Sequence, residues 1–123
     1  IGVAPDGYNI NNACGSTSPA VAAQTVIDQN ADLGICLDGD ADRLLIIDEK
    51  GHLAHGDHIL GVFAKELKFN KQLKKDTLVT TSMSNLGLEI FLSSQGIDLV
   101  RTDVGDRYVV EKMLSDGFNL GGV

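Results

Sequence analysis

Asp38, Asp40 and Asp42 stand at alternate positions in the stretch ICLDGDADRLL, residues 35 to 45, and Arg43 follows them directly. Three ionised carboxylates held that close repel one another and raise one another's pKa unless a cation intervenes. A donor set made only of oxygen suits Mg²⁺, Mn²⁺ or Ca²⁺, whereas zinc favours imidazole and thiolate. A plain solvated acidic turn is the alternative, but turns seldom stack three Asp between apolar runs. Arg43 reads in two ways. It is either a strand-edge cation balancing the loop, or a donor of two parallel hydrogen bonds to a phosphate.

Two specific chemistries compete for the loop. A helix–loop–helix calcium site wants acidic residues at its positions one, three and five, glycine at six and glutamate at twelve. Asp38, Asp40, Asp42 and Glu49 meet the acidic demands. Arg43 takes the glycine's place and the flanks read as strands, so that reading fails. A phosphatase with an aspartyl nucleophile also begins with an apolar strand ending in Asp-x-Asp, the first attacking phosphorus and the second moving a proton. ICLDGDAD fits that opening, LVTTS can supply a hydroxyl-bearing strand, and Gly105–Asp106 a later acidic loop. Against it, no lysine lies between Asp76 and Asp106 to steady the phosphoryl group.

Other chemistry-bearing residues are fewer. Asp106 and Arg107 sit in a glycine-led turn before an apolar-periodic run, a suitable place to meet an anion; capping a helix explains Asp106 equally well. Tyr8, Asn9 and Asn11 lie in a long polar loop, a weak sign of function. His52, His55 and His58 show no metal-ligand pattern and read as surface residues. Gly15-Ser16-Thr17-Ser18 lacks the lysine and the preceding strand of a phosphate loop.

Short β-like runs alternate with helical stretches, and these must position the loop. The hydroxyl of Ser18 before Pro19 predicts a helix from there to Asn30, burying Val21, Ala22, Val26 and Ile27. ADLGICLD reads as a buried strand, and RLLIIDEKGHLAHGD as a strand, a turn at 49–51 and a short return. A helix from Asp57 to Leu67 would turn Ile59, Leu60, Phe63 and Leu67 inward. DTLVTTS, IDLVRTDV and FNLGGV read as strands. Helices over 85–95, with Leu86, Ile90 and Phe91 inward, and over DRYVVEKMLSD join them. The pattern implies an α/β chain with a mixed, largely parallel sheet and its carboxylate loop at the sheet's carboxyl edge. The charged connection Lys71–Asp76 is the expected boundary between two partial domains, 1–72 and 73–123.

Bulk composition excludes several classes. Of 123 residues, 43% are hydrophobic and 22% charged, which suits a globular protein and not a disordered tail. The net charge of -7 argues against a nucleic-acid partner. No apolar run approaches the roughly 18 residues of a membrane span. Two cysteines, Cys14 and Cys36, make no disulfide framework, and the expected setting is cytoplasmic. The apolar ends, IGVA and NLGGV, suggest strands cut from something longer.

DGDADR resembles the metal-binding loop of the α-D-phosphohexomutases, in which three aspartates hold Mg²⁺. PDGYNINNACGST, GDHI, TSMSNLGLE, VGDRYVVEKM and the final NLGG resemble, in order, signatures of the phosphoglucosamine mutase branch. The resemblance implies three-layer α-β-α domains, with 1–72 part of the second and 73–123 the start of the third, sugar-binding one. It implies phosphate transfer between a phosphoserine and a hexosamine phosphate, with Asp38, Asp40 and Asp42 holding Mg²⁺ (or Mn²⁺). Arg43 would then meet the phosphate, and Asp106 and Arg107 the substrate. The family's serine loop has no counterpart before Asp38, and Val123 stands where its sugar loop has glutamate. The expectation is an internal segment, inactive alone, whose partners are the remaining domains of its own polypeptide.

Overall fold

The computed structural model describes residues 1–123, which divide into two compact units, Ile1–His55 and Gly56–Val123. The division lies well before the expected boundary at 72/73. The cause is the helix that starts at Gly56: Ala64 is fully buried in one cluster with Leu78, Leu88 and Leu92, so this helix belongs to the core that follows it. The charged segment Lys71–Asp76 is a connection inside the second unit, held by Lys75 Nζ donating to Asp116 O and by Asn119 accepting from Lys74 N at 2.8 Å.

In the first unit a turn-rich stretch leads to α1 (Ala20–Gln29), then β1 (Leu33–Leu37), β2 (Leu44–Asp48) and β3 (Leu53–Ala54). The three strands form an antiparallel sheet in the order β1-β2-β3, with Leu33 opposite Asp48 and Leu37 opposite Leu44. Successive residues of a strand face opposite sides. Cys36 and Ile47 are buried with Val26 of α1, and Gly34 lets the helix approach, since a Cβ there would lie 2.7 Å from Val26 Cγ2. On the opposite face Leu33, Ile35, Leu37 and Leu44 are each about half exposed or more. β1 is therefore covered on one side only, where a buried strand was expected. α1 is also not capped as expected. Pro19 occupies the N-cap position without a side-chain bond, and Val21 and Ile27 stay nearly half exposed.

The second unit runs α2 (Gly56–Phe69), a 3₁₀ turn at Lys74–Asp76, β4 (Thr77–Thr81), α3 (Leu86–Ser94), β5 (Asp98–Thr102) and α4 (Asp106–Asp116). β4 and β5 pair in parallel, Thr77 with Asp98 through Thr81 with Thr102. On the other side of β4, Val79 bridges Gly121 in parallel, its N–H donating to Leu120 O and its carbonyl accepting from Gly122 N. All five residues of β4 are buried, as in a strand covered on both faces. Leu78 points to α2 and α3; Gly121 passes so close to α4 that a Cβ would lie 2.6 Å from Met113 Sδ and 2.8 Å from Val109 Cγ1. α3 is apolar at 86, 88, 90, 91 and 92, so the sequence named the wrong inward set. Leu88 and Leu92 are buried, while Leu86 and Ile90 are exposed. The α/β class with mixed sheets is as expected, although parallel pairing is confined to this unit.

Candidate functional site

The β1–β2 connection, residues 38 to 43, carries the carboxylates. Being a tight hairpin between paired strands, it folds the chain back within six residues, and Ala41 takes a left-handed conformation (φ 61°) to do so. The turn is closed by Ala41 N donating to Asp38 O at 3.1 Å and Asp38 N donating to Arg43 O at 3.3 Å. Gly39 lies against the preceding loop: a Cβ on it would stand 2.9 Å from Ile10 Cδ1 and 3.2 Å from Asn11 Nδ2. Ser16 N donates to Leu37 O, which ties that loop to the last residue of β1.

This geometry brings together one carboxylate oxygen from each of Asp38, Asp40 and Asp42, all within 4.8 Å of one another. Asp38 is the anchor, with a side chain 2% exposed that accepts Arg43 N at 3.0 Å on Oδ1 and Arg43 Nε at 2.8 Å on Oδ2. The Arg43 backbone N–H, helped by its guanidinium, holds the Asp38 carboxyl at about 2. Asp42 moves the other way: its hydrogen bond with Asp38 and the neighbouring charge of Asp40 raise its pKa. Arg43 engages through Nε and remains 74% exposed. Each carboxylate oxygen has two lone pairs, so the bonds to Arg43 leave Asp38 able to face a cation. The all-oxygen donor set, three carboxylates set against the single guanidinium of Arg43, which also lies 3.7 Å from Asp42, fits a hard divalent ion.

Asp106 and Arg107 belong to the second unit. They open α4 after Gly105, whose φ of 138° requires glycine. Asp106 accepts Arg107 N at 2.7 Å within the first turn and is not the N-cap; Arg107 pairs with Glu111 at 2.7 Å. Both are exposed at the carboxyl edge of the parallel sheet. Asn9 and Asp6 build a local turn, with Tyr8 N and Asn9 N donating to Asp6 Oδ1, while Tyr8 itself is 94% exposed. His52 bonds Asp48 across the β2–β3 turn.

One constellation escaped the sequence. Asp57, in the first turn of α2, is buried, and its Oδ2 accepts both Asn85 N at 3.1 Å and Asn85 Nδ2 at 2.6 Å. Asn85 in turn caps α3, its Oδ1 accepting Leu88 N at 2.9 Å. Arg101 braces the same turn, donating to Ser84 O at 2.8 Å and to Glu89. A cleft of ≈ 410 Å³ opens beside the pair, walled by Gly61, Val62, Leu88 and Phe91. An Asp in the first turn of a helix was the sequence signal, its burial being visible only in the structure, and helix-dipole preference already accounts for Asp there.

Residues 55–122 match the model of phosphoglucomutase/phosphomannomutase, alpha/beta/alpha domain III. Curated relatives named phosphoglucosamine mutase are 57% identical in Bradyrhizobium sp. (strain ORS 278) and 58% in Ruegeria sp. (strain TM1040), each over 122 residues. Those alignments take in 99% of this chain and 27% of each relative, so the chain spans about a quarter of their length. Among solved structures, a phosphoglucomutase/phosphomannomutase family protein from Burkholderia thailandensis superposes with a TM-score of 0.75 at 22% identity, over 86% of this chain and 23% of that one. An N-acetylglucosamine-phosphate mutase in its apo form gives 0.58 at 21% identity, over 90% and 27%. With the domain III model covering more than half of its residues, the chain belongs to the phosphoglucomutase/phosphomannomutase family.

Proposed function

We propose that this chain is part of a phosphoglucosamine mutase, interconverting glucosamine 6-phosphate and glucosamine 1-phosphate, and that residues 38–43 form its Mg²⁺ loop. The observation that carries the reading is the convergence of the Asp38, Asp40 and Asp42 oxygens beside Arg43. The relatives' names support the substrate pair. On this reading 1–55 is part of the second domain of the parent protein and 56–123 the start of its third. The reaction would use a phosphoserine supplied elsewhere in that parent polypeptide.

A transferred phosphoryl group spreads charge over its outer oxygens, so catalysis is chiefly positioning and electrostatics. Bound at the three Asp, Mg²⁺ (or Mn²⁺) would supply Lewis-acid stabilisation of a phosphate oxygen. Asp38 holds the guanidinium of Arg43 by its Nε edge, which orients the outer N–H groups to donate two parallel hydrogen bonds to that phosphate. Asp106 and Arg107, at the carboxyl edge of the second unit's sheet, would meet the sugar phosphate. Chemistry of this kind on phosphosugars suits a cytoplasmic enzyme.

The test is a calorimetric titration of the chain with Mg²⁺ and Mn²⁺. Weak binding is expected, and Asp40→Asn should weaken it by about tenfold or more through loss of one ligand. Unchanged affinity in the variant would remove the loop from the site. The aspartyl-phosphatase alternative makes the opposite demand. It requires a beryllofluoride adduct on Asp38 in the presence of Mg²⁺, and the two hydrogen bonds that this side chain accepts from Arg43, one on each oxygen, argue that none forms.

A further inference from the structure

We infer that Asp57 is a positioning residue, acting through Asn85 to hold the turn Ser82-Met83-Ser84 at the carboxyl edge of β4 in one conformation. The inference rests on the reading of that edge as a sugar-phosphate surface. In a parallel sheet, ligands are met outside the carboxyl ends of the strands, where connections leave to opposite faces. β4 is such a strand: α3 follows it on one face, α4 packs on the other, and β5 and the segment around Gly121 flank it on its two sides. Whatever is read there is read by the turn that follows Thr81.

That turn is tied down at every backbone N–H. Ser82 N donates to Thr102 O at 3.0 Å, Met83 N to Thr81 Oγ1, Ser84 N to Thr81 O, and Asn85 N to Asp57 Oδ2. Arg101 takes the carbonyl of Ser84, and Thr80 and Ser84 share a hydroxyl bond of 2.6 Å. Of these ties only the one to Asp57 comes from outside the β4–α3–β5 segment. It is also charge-assisted and buried, the combination in which a hydrogen bond is strongest. Asp57 receives two donors from one residue, so it fixes both the backbone and the side-chain plane of Asn85. The same plane aims Asn85 Oδ1 at Leu88 N. The clamp thereby couples the start of α2, the cap of α3 and the exposed side chains of Ser82 and Met83.

A purely structural Asp57 would stabilise the unit as a whole; a positioning Asp57 acts on the turn. The experiment is amide hydrogen exchange by NMR on the 123-residue chain, together with a titration with glucosamine 6-phosphate. Asp57→Ala should speed exchange at 82–85 by about tenfold, as loss of a charge-assisted bond implies, while amides of β5 and α4 keep their rates. Amide shifts at 82–84 induced by the sugar phosphate should weaken in parallel. The isosteric Asp57→Asn keeps one oxygen able to accept both Asn85 N and Asn85 Nδ2 without the charge, and should retain part of the protection that Asp57→Ala loses. Unaltered exchange at 82–85 in Asp57→Ala, or a rise spread evenly over the unit, overturns the inference. Should Asp57→Ala fail to fold, Asn85→Ser carries the same test, since serine keeps the cap of α3 and drops the amide donor. If the wild-type chain shows no shifts with glucosamine 6-phosphate, the sugar-phosphate reading of this edge falls, while the exchange rates still decide the positioning role.

Discussion

At the scale of single residues, Asp38 differs from its two neighbours. It is the most buried of the three and the one whose negative charge is stabilised by protein donors; Asp40 and Asp42 are exposed, and Asp42 is pushed towards protonation. The loop therefore combines a fixed anchor with a strained pair. The order of causes makes a prediction. Because the Arg43 backbone N–H is the larger influence on Asp38 and the guanidinium the lesser, Arg43→Met should raise the Asp38 midpoint from about 2 but leave it short of the ordinary 3.8. Carboxyl NMR titration without divalent cation reads this directly. The sign follows: a depressed folded-state pKa gives stability that is complete above the ordinary value and lost as pH falls towards 2. A wild-type chain should thus keep its β1–β2 hairpin to more acid pH than Arg43→Met does.

At the scale of elements, the lesson is how much alternation and capping reveal. Asn85 as the start of a helix, the β2–β3 return and the carboxylates between two strands were all legible, because each depends on residues close in sequence. The faces of α1 and α3 were not. α3 is apolar almost all round, so periodicity had no preferred side to report, and only packing against α2 and β5 selects Leu88 and Leu92. The hairpin pairing of β1 with β2 was likewise hidden, since apolar runs suit parallel and antiparallel neighbours alike. Nor did sequence separate α2 from the unit before it. The lysines of 71–76 looked like a linker, yet Lys75 donates to Asp116 O at the end of α4, where cations are favoured, as Lys68 of α2 does to Gly96 O just after α3. Close approach yields a further prediction. Gly121 has no room for a methyl group between Met113, Val109 and Val79 O. Gly121→Ala should cost about 1–3 kcal/mol by overpacking, measured as a lower denaturant midpoint for β4 and α4 signals with the first unit's signals unchanged.

For the molecule as a whole, the first unit's sheet is the feature that stands out. Its outer face presents Leu33, Ile35, Leu37 and Leu44 together, with Ile35 62% exposed. An apolar patch of this kind is a liability in water unless something covers it. The chain should bind a hydrophobic dye and self-associate with rising concentration in sedimentation. Ile35→Thr, which retains a β-branched residue suited to a strand, should reduce both while leaving thermal stability nearly unchanged. An equal dye signal in that variant would place the sticky surface elsewhere. No helix is long and apolar enough to cross a membrane.

The bridge between Val79 and Gly121 has a consequence in time. A ribosome delivers residues in order, and β4 emerges long before the segment that flanks it on its second side. Until the segment around Gly121 arrives, Val79 has neither the carbonyl of Leu120 nor the amide of Gly122 to meet. α4 likewise lacks the glycine-lined surface it packs on. Non-local pairing of this kind must wait for loop closure, and a half-made unit exposes meanwhile a strand whose five residues are all buried in the finished one. Arrival of the segment around Gly121 is thus a late step in closing the flank of β4, and a pause in translation shortly before it would lengthen that exposed interval.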